Sequence, residues 1–398
     1  MINITKLLFD YAFSGDELRY NRKSDILESR PIVVWNCTRR CNLSCLHCYS
    51  DSSDRQYPDE LSTEEAKKMI QDLADFKAPV LLFSGGEPLL RKDLFILNAF
   101  AKIKGLRTVI STNGTLLTKE VARRIKEDNF DYVGISLDGS GLNNDKFRGS
   151  KGAFNLALSG IRNLIKAGVR VGLRYTITRH NYSDLKDIFR LVEEENIERV
   201  CFYHLVYSGR GSKMIEDDLT HQQMRLCIDS ICDWVKELVS KGIHKEVLTV
   251  DNHTDGAYIY LKLRKENPER AQEALRLLRR NGGNNSGIGI ADIDNLGFVH
   301  ADQFWQSYSF GNVRERNFSE IWLDTGDLLM RKLKDRRVYL KGRCARCKFL
   351  DICNGNLRTR AEAVYKDIWQ DDPACYLTDE EVGINAISSV SPKAVKAE

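Results

Sequence analysis

Nowhere in its 398 residues does this chain hold the run of roughly 20 apolar residues that a membrane-spanning helix needs, so a helical span is excluded. One-sided charge is missing too. Sixty lysines and arginines stand against 56 aspartates and glutamates, a formal net charge of +4, too small to point to nucleic acid. No secretory leader is expected, because the apolar stretch of Met1-Ile2-Asn3-Ile4-Thr5-Lys6-Leu7-Leu8-Phe9-Asp10 is short and soon broken by charge. Without a leader, eleven cysteines are expected to be reduced, metal-binding thiols in the cytoplasm rather than disulfides. An apolar share of 42% is ample for a sizeable core, and the length predicts one large domain with a smaller one attached.

From residue 32 onward short β-branched runs alternate with amphipathic stretches. Strands are expected at Ile32–Trp35, Val80–Phe83, Val109–Ser111, Tyr132–Ser136, Val171–Tyr175 and Val200–Tyr203. Ser62-Thr63-Glu64-Glu65 is a capping box, and Ala66, Met69, Ile70, Leu73 and Phe76 mark one helical face behind it. Further helices are expected over Thr118–Asn129, Ala153–Ala167 and Tyr182–Asn196. Repeated strand–helix units with apolar strands imply an α/β fold, a parallel sheet with helices outside, and six units make a partial barrel. The expected organisation is an extension over 1–30, the barrel over 31–215, a helical bridge over 216–285, a small cysteine-rich domain over 286–380 and a tail over 381–398, with Ile387–Glu398 a frayed end.

Parallel barrels carry their reactive groups on loops at the carboxyl ends of strands, and the unusual residues of this chain fall there. Cys41, Cys45 and Cys48 follow the first strand in a C-x3-C-x2-C spacing. Three thiolates are one short of what a four-iron cluster takes, so a [4Fe–4S] cube held here leaves one iron open to a small ligand. Zinc is the competing reading; it usually closes its shell with four ligands, and His47 is the one further candidate nearby. Ser84-Gly85-Gly86-Glu87-Pro88 follows the second strand, Thr112-Asn113-Gly114 the third and Leu137-Asp138-Gly139 the fourth. Gly85 and Gly86 let backbone approach a ligand closely, and Glu87 can meet an ammonium group. Ser111 and Asn113 can hydrogen-bond ribose hydroxyls, work also open to Ser136 and Asp138. Arg174, facing inward from the fifth strand, can grip a carboxylate with two N–H groups. Tyr203-His204-Leu205 can supply backbone groups to a nucleobase. Cys37, Cys201, Cys227 and Cys232 read as buried thiols. Near the C-terminus, Cys344-x2-Cys347-x5-Cys353 followed by Cys375 offers four thiolates, enough to close an iron or zinc site.

The three-cysteine loop, followed one strand–helix unit later by Gly85-Gly86-Glu87, resembles the radical S-adenosylmethionine (SAM) family, and the C-terminal cysteines resemble its SPASM/twitch extensions. The resemblance implies a partial (β/α)6 barrel in which Cys41, Cys45 and Cys48 hold the cube and the open iron chelates SAM. It places the Gly85-Gly86-Glu87 motif on the methionine amino group and Arg174 on the carboxylate. His47 would pack near adenine, with Ser111, Asn113, Ser136 and His204 completing the cofactor's surroundings. A second, auxiliary [4Fe–4S] cluster on Cys344, Cys347, Cys353 and Cys375 is implied. Because Gly287–Asp302 contains no cysteine, one such cluster is expected rather than two. An electron donor such as a ferredoxin or flavodoxin is the implied partner.

Within the family the likeness runs along nearly the whole chain to the haem-biosynthesis branch. It is carried by Trp35-Asn36-Cys37-Thr38-Arg39-Arg40-Cys41-Asn42-Leu43, by Gly289-Ile290-Ala291-Asp292-Ile293-Asp294 with His300 and Gln303-Phe304-Trp305, and by Cys353-Asn354-Gly355-Asn356-Leu357-Arg358-Thr359-Arg360-Ala361 and Asp372-Pro373-Ala374-Cys375-Tyr376-Leu377. It implies an iron tetrapyrrole substrate and removal of the two acetate groups of 12,18-didecarboxysirohaem, giving iron-coproporphyrin. Removal of propionates on the way to haem d1 is the alternative. A polycarboxylate macrocycle suits arginines, aromatic faces and an axial imidazole, and His300, Trp305, Arg358 and Arg360 are the candidates for contact with it. A peptide-modifying maturase is a competing class, set back by the mere 30 or so residues before the barrel, too few for a separate peptide-binding core. A simple iron–sulfur electron carrier would leave the loops at successive strand ends unexplained.

Overall fold

The computed structural model describes residues 1–20 and 30–384 of the chain. Its centre is one ten-stranded sheet: β1 (Ile2–Asn3), β2 (Ile32–Thr38), β3 (Leu81–Gly85), β4 (Thr108–Thr112), β5 (Tyr132–Ser136), β6 (Val171–Ile177), β7 (Arg199–His204), β8 (Glu246–Val250), β9 (Ile290–Ile293) and β10 (Val299–His300). The spatial order is β1-β8-β7-β6-β5-β4-β3-β2-β9-β10. Strands β2 to β8 run parallel in sequence order, and β9 joins the free side of β2, also parallel. Only the outermost strands, β1 and β10, are antiparallel to their neighbours.

Side chains alternate between the two faces of each strand. Val33, Trp35, Leu81, Phe83, Ile110, Val133, Ile135, Leu173, Val200 and Phe202 lie in one apolar core with the surrounding helices. The intervening residues, among them Ser84, Ser111, Ser136, Arg174, Tyr203 and Asp292, form the inner face, which is markedly more polar. The helix Thr63–Asp75 begins at the capping box, with Ser62 accepting from the Glu65 N–H, and buries Ala66, Met69, Ile70 and Leu73. Helices Lys119–Glu127, Ala153–Lys166 and Leu185–Glu194 return the chain between later strands.

The stretch 216–285 is less purely helical than its charge pattern predicts. It contains β8, a seventh parallel strand, between the helices His221–Ser240 and Thr254–Glu266. Five residues, Glu-Val-Leu-Thr-Val, are too short a run to stand out beside two long amphipathic helices. Residues 1–20 likewise pack into the barrel: Ile2 and Asn3 extend the sheet beyond β8, and Arg19 reaches Glu246 of β8 at 2.6 Å. After β10 the chain forms short helices and turns around the C-terminal cysteines, ending with Asp379–Val382. The expected frayed segment Ile387–Glu398 lies outside the described residues.

Candidate active site

The loop after β2 carries the three cysteines. Cys41 and Cys45 are buried and Cys48 is half-buried, all with free thiols. Burial pushes the Cys41 thiol up to about 12 and raises Cys45 as well, so these sulfurs become thiolates only when a metal replaces their protons. The surroundings suit that exchange. The Leu43 N–H donates to Cys41 Sγ at 3.4 Å, the Ser52 N–H to Cys48 Sγ at 3.4 Å, and Arg148 Nη1 to Cys45 Sγ at 3.5 Å. Three soft, donor-stabilised sulfurs fit an iron–sulfur cluster. His47 does not complete a zinc set: its Nε2 faces Asp138 at 3.5 Å and its ring packs on Phe147, centroids 4.7 Å apart. Burial lowers its pKa to about 4, keeping the imidazole neutral. Among the described residues no three His, Cys, Asp or Glu side chains gather closely enough to hold a single metal ion.

The end of β3 is sewn onto this loop. The Gly86 N–H donates to Thr38 O at 2.7 Å and the Glu87 N–H to Arg40 O at 2.8 Å. Such an approach leaves no room for a side chain. A Cβ on Gly85, which has φ +122°, would lie 2.3 Å from Thr38 O, and one on Gly86 would lie 2.2 Å from Arg40 O. Glu87 departs from its expected part. Its carboxylate is fully buried and accepts from Thr112 Oγ1 at 2.8 Å, the Asn113 N–H at 2.8 Å and the Leu89 N–H at 3.1 Å. Burial raises it to about 7 despite these donors. The side chain therefore braces the β4 end against the β3 end, leaving backbone for an ammonium group. Asn113 Nδ2 donates to Asn42 Oδ1 at 2.8 Å, tying β4 to the cysteine loop. Ser111 Oγ accepts from Arg174 Nη1 at 2.9 Å, and Ser136 is the register partner of Arg174 across β5 and β6. The structure thus brings the three cysteines, Gly85, Gly86, Ser111, Asn113, Ser136, Arg174 and His47 to one end of the sheet.

A cavity of about 800 Å³ opens along the inner face, lined by Val34, Leu82, Arg174, Tyr203, Asp251 and Phe304 among others. Beside it lies a polar chain that the sequence motifs did not single out. Tyr49, directly after Cys48, meets Phe304 edge-on at 5.2 Å and donates to Asn36 Oδ1 at 2.9 Å. Asn36 Nδ2 donates to both carboxyl oxygens of Asp292, at 3.0 and 3.1 Å. Burial pushes Asp292 up to about 8, which favours its protonated form. Asn36 lies on β2 and Asp292 on the neighbouring β9; nothing local in the sequence revealed that they pair.

The second cysteine set occupies short turns. Cys344, Cys347, Cys353 and Cys375 are all half-buried. Arg343 Nη1 lies 3.5 Å from Cys375 Sγ, and the Phe349 N–H donates to Cys347 Sγ at 3.4 Å. Burial pushes the Cys344 thiol up to about 12. Four thiols with such donors fit a closed cluster. Cys353 O accepts from the Asn284 N–H at 3.1 Å, and Asn284 lines the cavity.

Five expected contacts are corrected. His204 is buried with Nε2 on Asp255 at 2.8 Å and Nδ1 facing Asn252 Nδ2 at 3.4 Å, leaving neither ring nitrogen for iron. His300 has Nδ1 on Tyr308 O at 2.7 Å and is buried against Asp294. Trp305 packs with Ala301 and Leu333. Arg358 binds the carbonyls of Gly355, Ile368 and Gln370. Arg360 pairs with Asp372 at 2.8 Å and also binds Asp251 O at 2.6 Å. Buried charges persist when fully partnered, and sequence cannot distinguish such an arginine from one awaiting a carboxylate.

Residues 35–192 match the model of the radical SAM superfamily. The chain belongs to that superfamily, and membership implies a [4Fe–4S] cluster and SAM. Within it the chain groups with three named relatives. It is 57% identical over 395 residues to the Fe-coproporphyrin III synthase of Methanosarcina barkeri, spanning 96% of this chain and 99% of that protein. It is 43% identical to the pre-heme d1 synthase of Dinoroseobacter shibae, over 89% of this chain and 88% of that one. It is 31% identical to the AdoMet-dependent heme synthase of Nitratidesulfovibrio vulgaris, over 86% and 91%. Two solved structures share the fold: Streptococcus suis SuiB bound to S-adenosylmethionine, TM-score 0.67 at 16% identity over 88% of this chain and 78% of that one, and anSMEcpe with bound AdoMet, 0.66 at 19% over 87% and 94%.

Proposed function

We propose that this chain is a radical SAM enzyme of haem biosynthesis that removes the two acetate side chains of 12,18-didecarboxysirohaem to give iron-coproporphyrin III. The observation that carries this reading is the 57% identity to a protein named Fe-coproporphyrin III synthase, extending over both cysteine sites and the barrel between them. When bound, the cluster and SAM supply a 5′-deoxyadenosyl radical that takes a hydrogen atom from the substrate. The chain's own residues do the rest. With SAM bound, backbone at Gly85 and Gly86 would hold its amino acid part, and Ser111 and Asn113 would serve its ribose. The lumen cavity, with Arg174 on its wall, is of a size and polarity that suit a carboxylated ligand. Cys344, Cys347, Cys353 and Cys375 would hold an auxiliary [4Fe–4S] cluster able to pass electrons supplied by a ferredoxin or flavodoxin. The 43% relative named pre-heme d1 synthase favours propionate removal as the second reading.

The test is an anaerobic assay of reconstituted protein with SAM, a strong reductant and 12,18-didecarboxysirohaem, read by mass spectrometry. Iron-coproporphyrin III with 5′-deoxyadenosine is the expected product pair. Loss of propionate mass instead would move the assignment to the haem d1 branch. SAM cleavage with the macrocycle untouched would overturn both.

A further inference from the structure

The helix Gly141–Arg148, between β5 and β6, ends against the three-cysteine loop. Its last carbonyls receive that loop's backbone: the Leu46 N–H donates to Phe147 O at 3.0 Å and the Ser44 N–H to Arg148 O at 3.3 Å. Gly149 then turns away with φ +67°, and a Cβ there would lie 2.4 Å from Ser44 Oγ. The clamp delivers one cation. Arg148 is 7% exposed, with Nη1 on Cys45 Sγ at 3.5 Å and Nη2 paired with Asp138. Asp138 is itself fully buried at the β5 end and held in place, accepting from the Thr176 N–H at 2.6 Å and facing His47 Nε2 at 3.5 Å. Neither Arg148 nor Asp138 lines the cavity.

We infer that Arg148 and Asp138 set the reduction potential of the cluster held by Cys41, Cys45 and Cys48, with Arg148 raising it and Asp138 offsetting part of that charge. Three thiolates around a [4Fe–4S]²⁺ core carry one net negative charge, and one added electron makes it two. The electron comes from a low-potential iron–sulfur or flavin protein, which is oxidised by one electron as the core goes to 1+. A buried guanidinium at a ligand sulfur favours the more negative state, and little water screens it. A carboxylate one hydrogen bond further out opposes it. Both residues act through Cys45, so they are positioning residues. The inference rests on the cluster reading of the site and is independent of which tetrapyrrole the enzyme takes.

The experiment is a potentiometric titration of the reconstituted full-length protein with dithionite, without tetrapyrrole, following the reduced cluster by electron paramagnetic resonance. Cys344→Ala, Cys347→Ala and Cys353→Ala together in every sample remove the second signal, leaving one cysteine of that set. Arg148→Gln is expected to lower the midpoint and Asp138→Asn to raise it, with the Arg148→Lys midpoint between Arg148→Gln and the parent. The double variant should return towards the parent. Shifts of the same sign for Arg148→Gln and Asp138→Asn, or no shift in either, would overturn the inference. If Arg148→Gln fails to hold iron, Arg148→Lys and Asp138→Asn still give the sign, and equal midpoints for those two and the parent would overturn it too. Failure of the parent to take up the cube at all would overturn the cluster reading itself, an outcome distinct from misplaced charge.

Discussion

The two cysteine sites are built on opposite plans. The first has three thiols on one continuous loop, wedged between strand ends where two glycines remove every obstructing side chain. The second has four thiols drawn from turns more than 30 residues apart in sequence, on half-buried backbone held by arginines. Three thiols leave a four-iron cluster one ligand short. Four thiols are enough to close one. The first site is therefore defined by what its walls leave out, the second by how firmly its walls are pinned.

The largest expected effect tests that division directly. Replacing Cys41, Cys45 or Cys48 by Ala should abolish 5′-deoxyadenosine formation, whereas Ala at Cys344, Cys347, Cys353 or Cys375 should leave uncoupled SAM cleavage while suppressing the tetrapyrrole product. Full turnover in the second group would make the auxiliary cluster dispensable. Next come the pins of the second region. Arg360→Met strands a fully buried Asp372, and chemical denaturation should report a loss of about 3–5 kcal/mol. The exposed pair Arg162–Glu195 should lose less than about 1 kcal/mol on Arg162→Ala. Equal losses would mean that burial is not what matters there.

At the first site the fit of backbone should count for more than stability. Gly86→Ala puts a methyl group on Arg40 O and should weaken SAM binding by about tenfold to a hundredfold, from a strain of about 1–3 kcal/mol, as measured by calorimetry on reconstituted protein. Unchanged affinity would show that the β3 end does not border the cofactor. The last test concerns Asp292 on β9. Burial pushes the Asp292 carboxyl from an ordinary 3.8 up to about 8, so the folded state keeps a proton that the unfolded chain gives up. Stability from this group is complete below about pH 4 and is lost as the pH rises towards about 8. The midpoint of urea unfolding should therefore decline across that window, and Asp292→Asn should flatten the decline.

The parallel strands of the barrel were legible because period-2 apolar runs and capping signals, such as Ser62 with Glu65, are local. The cysteine loop was legible for the same reason, since its ligands lie within eight residues of each other. What sequence hid was long-range satisfaction. Glu87 looks like a ligand contact until Thr112 and Asn113 fold onto it. Arg358, Arg360, His204 and His300 look available until backbone carbonyls and carboxylates from distant segments engage them. Arg148 went unnoticed because a helix-ending arginine is commonplace, and only the fold brings it to Cys45. Strand β8 was masked by the helices on either side.

The sheet order also has a consequence for the newborn chain. Strand β2 pairs with β3 almost at once, but its other edge stays bare until β9 is made, some 250 residues later, and β1 waits as long for β8. Throughout that interval the ribosome holds out an apolar strand edge, the kind of surface that joins other chains. The last-made part of the protein is thus the stopper for the first, and a shortened transcript should yield aggregates rather than a smaller barrel.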